Sequence, residues 1–253
     1  SRFWMAESYY YLNDSLKAIE EYNRFLEKSD DTALIMTAHD RIATIYFNQQ
    51  RYEEAVIEWE QSIKNSTDMD QNAQIVIKIG RALFKNGNYE KSLDRLLPLL
   101  SARINSRNKA EIRLLVGRLY QLQEEHKKAM IALNAIPKEL TESYPFYDVY
   151  YFRALSYISL DRISSARSEL ELFQIIGKKS EFYTAGMFEL GSIILAGSKP
   201  DSGIEILHEI WESSGDSNLA VRSAILIAEY YIDNDPDKAI NYIEKYMTSP
   251  DDE

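Results

Sequence analysis

The chain has 253 residues, with 29 Lys and Arg against 40 Asp and Glu, and carries a formal charge of −11 at pH 7. That sign disfavours wholesale binding to phosphate backbones or anionic lipid, and the absence of cysteine excludes disulfides, thiol catalysis and cysteine-based zinc sites. Nine glycines and six prolines are too few for a turn-dense β fold, so the composition points to a globular chain of long helices.

From the N-terminus, the first predicted helix presents a small residue, Ala6, followed three positions later by a large one, Tyr9. The second presents Ala18 and, four positions on, Tyr22, with Asn13-Asp14 as the turn between them. The pattern returns as Ala43/Tyr46 and Ala55/Trp59 across Gln49-Gln50-Arg51, then as Gly80/Leu83 and Ser92/Leu96 across Asn86-Gly87-Asn88. It continues through Gly117/Tyr120 and Ala129/Leu133, Ala154/Tyr157 and Ala166/Leu170, Gly191/Ile194 and Gly203/Leu207, and Ala228/Tyr231 and Ala239/Ile243. The second small residue recurs at intervals of 37 residues, and of 36 at the last step. Spacings of three and four put each pair on one helical face. Two antiparallel helices approach closely only where one lacks bulk, so each small residue is expected to receive a knob from its partner helix. Clusters of cap formers, Ser29-Asp30-Asp31-Thr32, Asn65-Ser66-Thr67-Asp68 and Ser213-Ser214-Gly215-Asp216, separate the units.

Each unit therefore reads as helix A, turn, helix B. The predicted fold is all-α: a helical-hairpin solenoid of seven repeats with a 37-residue period, forming one array over 1–253. The repeats fall at about 1–29, 30–66, 67–103, 104–140, 141–177, 178–214 and 215–250. Residue 1 already lies inside a helix A and no polar capping helix is visible, so the chain is expected to be a piece of a longer protein. No apolar run is long enough for a membrane-spanning helix.

The segment Ile42-Ala43-Thr44-Ile45-Tyr46, with Arg51-Tyr52-Glu53-Glu54-Ala55-Val56 and Trp59, resembles the tetratricopeptide repeat family. So does Ile79-Gly80 with Leu83 and Gly87-Asn88-Tyr89-Glu90-Lys91-Ser92. The family's usual unit is shorter than 37 residues. The longer unit and the opening Ser1-Arg2-Phe3-Trp4-Met5-Ala6-Glu7-Ser8-Tyr9-Tyr10 are similar to bacterial cell-envelope members, of the TolA-binding and outer-membrane-assembly lipoprotein type. The resemblance implies a non-enzymatic scaffold that binds a protein or peptide along a concave face lined by helix A. It also implies a place in an envelope assembly, in the periplasm, with the cytoplasm as the alternative.

On that face the resemblance places Glu7, Thr44, Arg81, Arg118, Leu155, Ser192 and Glu229 toward the groove. Arg81 and Arg118, with Lys78, Lys85 and Arg113 on the same helices, form a basic strip that suits an acidic peptide or terminal carboxylate. The competing reading is a solvated face whose cations pair with neighbouring carboxylates. An apolar row of Tyr10, Phe47, Phe84, Ile158, Leu195 and Ile232, interrupted by Gln121, reads either as a ligand groove or as packing between hairpins. The chaperone-tail clamp of some family members is not reproduced, since the matching positions hold Asp40, Thr44 and Leu114.

Two departures stand out. Tyr144, Phe146, Tyr147, Tyr150, Tyr151 and Phe152 crowd the start of the fifth unit, either as an exposed hot spot or as filling for the longer connection after Pro137. Arg153 occupies a helix-A position that is apolar in every other unit, and so requires solvent or a carboxylate. His39, His126 and His208 lack metal-ligand spacing, and no cofactor, metal or nucleic acid is expected. Alternatives to the scaffold reading are a docking portion of a larger enzyme and a self-associating assembly module.

Overall fold

The computed structural model describes residues 2–64, 66–143, 145–213, 217–232 and 235–247. They form fifteen α-helices and one 3-10 turn, with no strand among the described residues. The chain divides into two compact units, Ser1–Glu124 with Asn134–Pro137, and Glu125–Leu133 with Lys138–Glu253.

The first unit holds α1 (Arg2–Tyr11), α2 (Ser15–Leu26), α3 (Thr32–Asn48), α4 (Tyr52–Ile63), α5 (Met69–Lys85), α6 (Tyr89–Leu96) and α7 (Ser106–Leu122). Helices α1 and α2, α3 and α4, and α5 and α6 pack as hairpins, and each helix B then packs on the helix A that follows it. Phe3, Ala6, Ala18, Tyr22, Ala38, Ile42 and Ile45 make one core between the first hairpins. Ala43, Ala55, Trp59, Ile75, Ile79 and Ala82 make the next. Burying each of the large side chains in these cores stabilises the unit by roughly 1.5–3 kcal/mol.

The small residues are required by these contacts. A Cβ on Gly80 would come within 2.9 Å of the Leu96 methyl carbons, so Gly80 on α5 is where the knob of α6 seats. Ser92, the small residue of α6, donates its hydroxyl to the Gly80 carbonyl at 2.8 Å and so satisfies itself in a fully buried place. The 3-10 turn Leu97–Leu100 replaces the end of helix B here, because Pro98 supplies no N–H.

The helix starts at Asp31 and Asp68 follow the predicted caps, and Asn105, outside the predicted clusters, makes an equivalent one. Asp31 accepts from the Ala33 and Leu34 amides at 3.1 Å, Asp68 from those of Asp70 and Gln71 at 3.0 Å, and Asn105 from Asn108 at 2.8 Å. Of the third cluster, 214–216 lie outside the described residues. Helix A ends on a common device. Asn13, Gln50, Gly87, Glu124 and Asp161 all have φ between 56° and 75°, and stand 37 residues apart. The amide after four of them reaches back to a carbonyl five residues earlier: Asp14 to Tyr9, Arg51 to Tyr46, Asn88 to Leu83, Arg162 to Tyr157, at 2.8–2.9 Å. This is a left-handed helix stop that satisfies the last carbonyls, and only Gly87 adopts it without a steric cost.

The second unit holds α8 (His126–Asn134, its last residue excepted), α9 (Lys138–Thr141), α10 (Asp148–Ser159), α11 (Ile163–Ile176), α12 (Tyr183–Leu195), α13 (Pro200–Ser213), α14 (Ser217–Ile232) and α15 (Pro236–Met247). Helices α10 and α11, α12 and α13, and α14 and α15 are hairpins. A Cβ on Gly203 would lie 2.4 Å from the Leu195 amide nitrogen, so α13 touches the backbone of α12 there.

In the fifth unit α10 begins only at Asp148, after α9 and a turn over 145–147. Tyr144 lies outside the described residues. Phe146, Tyr147, Tyr150, Tyr151 and Phe152 are all buried, so these aromatics fill the longer connection and present no exposed hot spot. Tyr151 stacks on Phe182 at 5.5 Å and on Phe173 at 5.8 Å, and the Tyr150 hydroxyl meets that of Thr141 at 3.0 Å. Arg153 finds a carboxylate: its Nε and Nη2 donate to Glu169 Oε2 of α11 at 3.0 and 2.8 Å. Burial holds the Glu169 carboxyl above the usual range, against the lowering pull of Arg153.

Candidate partner-binding face

The helix-A residues of the first unit share a network of side-chain ties between successive repeats. On α1, Glu7 accepts from the hydroxyl of Tyr22 on α2 and from Arg41 Nε on α3 at 3.1 Å. On α3, Asp40 Oδ1 accepts from Trp59 Nε1 on α4 at 2.8 Å and from Lys78 Nζ on α5 at 2.6 Å. In both places a carboxylate on helix A ties the polar tip of its own helix-B knob to a cation on the next helix A. The knob can thus be an aromatic with a polar atom, because that atom is satisfied where it is buried. Burial, reinforced by Glu7, drives the Tyr22 hydroxyl well above the ordinary phenol range.

At the next step the charges are exchanged and the helix-B knob, Leu96, takes no part. Arg81 Nη2 on α5 donates to Glu111 Oε2 on α7 at 3.1 Å. At the other end of these helices, Asp70 accepts from the Asn105 amide at 2.7 Å, from its Nδ2 at 2.8 Å and from Asn108 Nδ2 at 3.2 Å.

Five cations were singled out in the sequence. Lys78, Arg81 and Lys85 fall three and four residues apart on one face of α5. Lys78 is committed to Asp40, and Arg81 is paired with Glu111 but keeps 49% of its side chain exposed. Lys85 is exposed and has no side-chain partner among the described residues. Arg118 on α7 lies over the Phe84 ring at 5.0 Å, which brings it beside this strip. Arg113 is not brought to it: Nη1 donates to the Ala135 carbonyl at 2.7 Å in the 134–137 segment.

The three aromatics of the apolar row are half-buried. Tyr10 packs on the first core beneath Arg41, whose guanidinium is 4.9 Å from its ring centroid. Phe47 packs on the second core against Tyr52 and Trp59. Packing therefore accounts for much of the row, and only the outer ring edges are left to a ligand. Ile158 and Leu195 are likewise half-buried, and Ile232 is exposed. Among the groove positions, Thr44 donates to the Asp40 carbonyl at 2.7 Å, and Glu7 is occupied as above. Leu155 and Ser192 are half-buried, and Glu229 is exposed. No group of three or more His, Asp or Glu that could hold a metal ion occurs among the described residues.

Residues 5–70 and 77–148 match the family model described as tetratricopeptide repeat, and the chain belongs to that family. Its fold is similar to the C-terminal part of a TPR repeat-containing protein from Cytophaga hutchinsonii (TM-score 0.74, 15% identity, 97% of this chain and 94% of that one). A tetratricopeptide repeat protein from Parabacteroides merdae gives a TM-score of 0.68 at 14% identity, over 100% and 93% of the two chains. YrrB, described as a TPR protein with an unusual peptide-binding site, gives 0.54 at 20% identity over 72% and 87%. No curated protein matches the sequence.

Proposed function

We propose that this chain is a binding scaffold without catalytic activity of its own, holding an acidic protein segment or peptide on the helix-A face of α5 and α7. The observation that carries the reading is a division of labour on one helix face. Lys78 is consumed by Asp40, while Lys85 and the outer half of Arg81 face solvent beside the Arg118–Phe84 pair. In a chain of net charge −11, such a patch is a local exception that attracts carboxylates. The peptide site described for the similarly folded YrrB supports peptide binding as the mode. The reading extends to a place in a bacterial envelope assembly, motivated by the likeness of the first helix and the long repeat to envelope members of the family.

Selection of binders from a displayed random-peptide library tests it. Recovered sequences should carry Asp or Glu, and should lose most of their affinity for Arg81→Glu and Lys85→Glu chains. Binders without carboxylates, or indifferent to both substitutions, would overturn the reading. Fractionation of source cells with an antibody to the chain tests the envelope placement, which fails if the protein remains with the cytosol.

A further inference from the structure

We infer a second binding site, on the helix-B side of the first unit, that takes one branched aliphatic side chain of a partner with a neighbouring Lys or Arg. Helices α4 and α6 each pack on α5 and not closely on one another. The space they leave is a cleft of about 500 Å³, inside the range of roughly 300–1,000 Å³ typical of ligand sites.

Its apolar lining is Tyr52, Val56 and Ile57 from α4 with Ala82 and Leu83 from α5, one ring among four aliphatic side chains. Ile57 is 57% exposed, a large apolar side chain standing at an opening. From α6 the cleft receives Lys91, Asp94 and Arg95 and no apolar side chain, so nothing on that side fills it. Two polar straps bound the cleft along α4. Asn86 Nδ2 donates to Glu53 Oε1 at 3.4 Å, and Arg95 of α6 is paired with Glu60.

Charge selects the occupant. The rim carries Glu53, Glu60 and Asp94 against Lys91 and Arg95, and Arg95 is spent on Glu60. Glu53 has only a neutral amide, and Asp94 and Lys91 have no ion-pair partner among the described residues. Two uncompensated carboxylates against one lysine favour a cation beside the inserted aliphatic group. This preference is opposite to that of the α5–α7 face, so the two sites take different segments.

Methyl-labelled chain titrated with N-acetyl-Leu-Lys-amide tests the site by NMR. Saturable shifts are expected at the Val56, Ile57 and Leu83 methyls, and none with N-acetyl-Ala-Lys-amide. N-acetyl-Leu-Glu-amide should bind about fivefold more weakly, the size of an exposed charge pair. The exposed substitution Asp94→Lys should reverse that preference. The inference is overturned by absent or non-saturable shifts, by equal binding of the Lys and Glu probes, or by no response to Asp94→Lys. A chain that passes here but fails the acidic-peptide selection keeps this site and loses the α5–α7 reading.

Discussion

The second and fifth hairpins solve one packing problem with opposite placements of charge. In the second, the helix-A residue before the small position is Ile42, fully buried, and the polar tie lies beside it: Asp40 on α3 receives Trp59 from α4 and Lys78 from α5. In the fifth, the equivalent of Ile42 is itself the cation, Arg153, and the carboxylate has moved to helix B as Glu169. Arg153 also covers the Tyr150 ring at 5.0 Å, so its stem and guanidinium replace some of the apolar contact that isoleucine gives elsewhere. The repeat thus tolerates a charge at a core position when the facing helix offers its counter-ion. The tie is one between adjacent repeats in the second hairpin and one within a hairpin in the fifth.

Trp59→Ala breaks the second arrangement hardest. It removes the central knob and leaves the Asp40–Lys78 pair without its third member, with an expected loss of about 3–5 kcal/mol in denaturant unfolding. Trp59→Phe keeps most of the volume and loses the Nε1 hydrogen bond, so about 1 kcal/mol is expected.

Arg153→Met tests the fifth arrangement, at an expected cost of about 2–3 kcal/mol at neutral pH, below the figure for a fully buried pair because both partners keep some access to water. The pH dependence has a defined sign. Glu169 is raised in the folded protein, so it holds a proton there at a pH where the unfolded chain has released it. The group therefore weighs against folding as pH rises through that window, and the handicap vanishes below the unfolded value. Without Arg153 the window widens upward. The deficit of the variant relative to the parent should shrink toward about pH 4, the ordinary carboxylate value, and a deficit independent of pH would contradict the assignment.

The smallest effects concern the helix stops. Gly87→Ala should cost about 1 kcal/mol through φ alone, since a Cβ there meets nothing within 4 Å. Gln50→Gly, at the equivalent φ of 61°, should gain up to about 1 kcal/mol. Equal thermal midpoints for both variants and the parent would refute the common-stop reading.

The hairpins were legible because the contact between small residue and knob is local and recurs every 37 residues, although the last expected knob, Ile243, is exposed. The Asp31 and Asp68 caps were legible for the same reason, whereas that at Asn105 was not. The left-handed stops were not, although they share that period, because the position holds Asn, Gln, Gly, Glu and Asp and so shows no residue signature. The basic strip was visible as residue types, but the partners that divide it lie one repeat away. Lys78 reaches back 38 residues to Asp40, and Arg81 forward 30 to Glu111. Opposite charges on successive A helices at separations near the repeat length, as also for Glu7 and Arg41, were the signal that could have revealed the ties. The cleft between α4 and α6 had no sequence signal at all, since it depends on how far two helices splay on a third.

The central claim is that cations on one face of α5 divide between holding the repeats together and meeting a partner. Lys78→Ala and Lys85→Ala, compared for unfolding free energy and for affinity toward a selected acidic peptide, test it most directly. Lys78→Ala should lose about 1 kcal/mol of stability, as a partly exposed pair does, whereas Lys85→Ala should stay within about 0.5 kcal/mol of the parent and lose peptide affinity severalfold. If Lys85→Ala binds the peptide as the parent does, or costs as much stability as Lys78→Ala, the division does not exist.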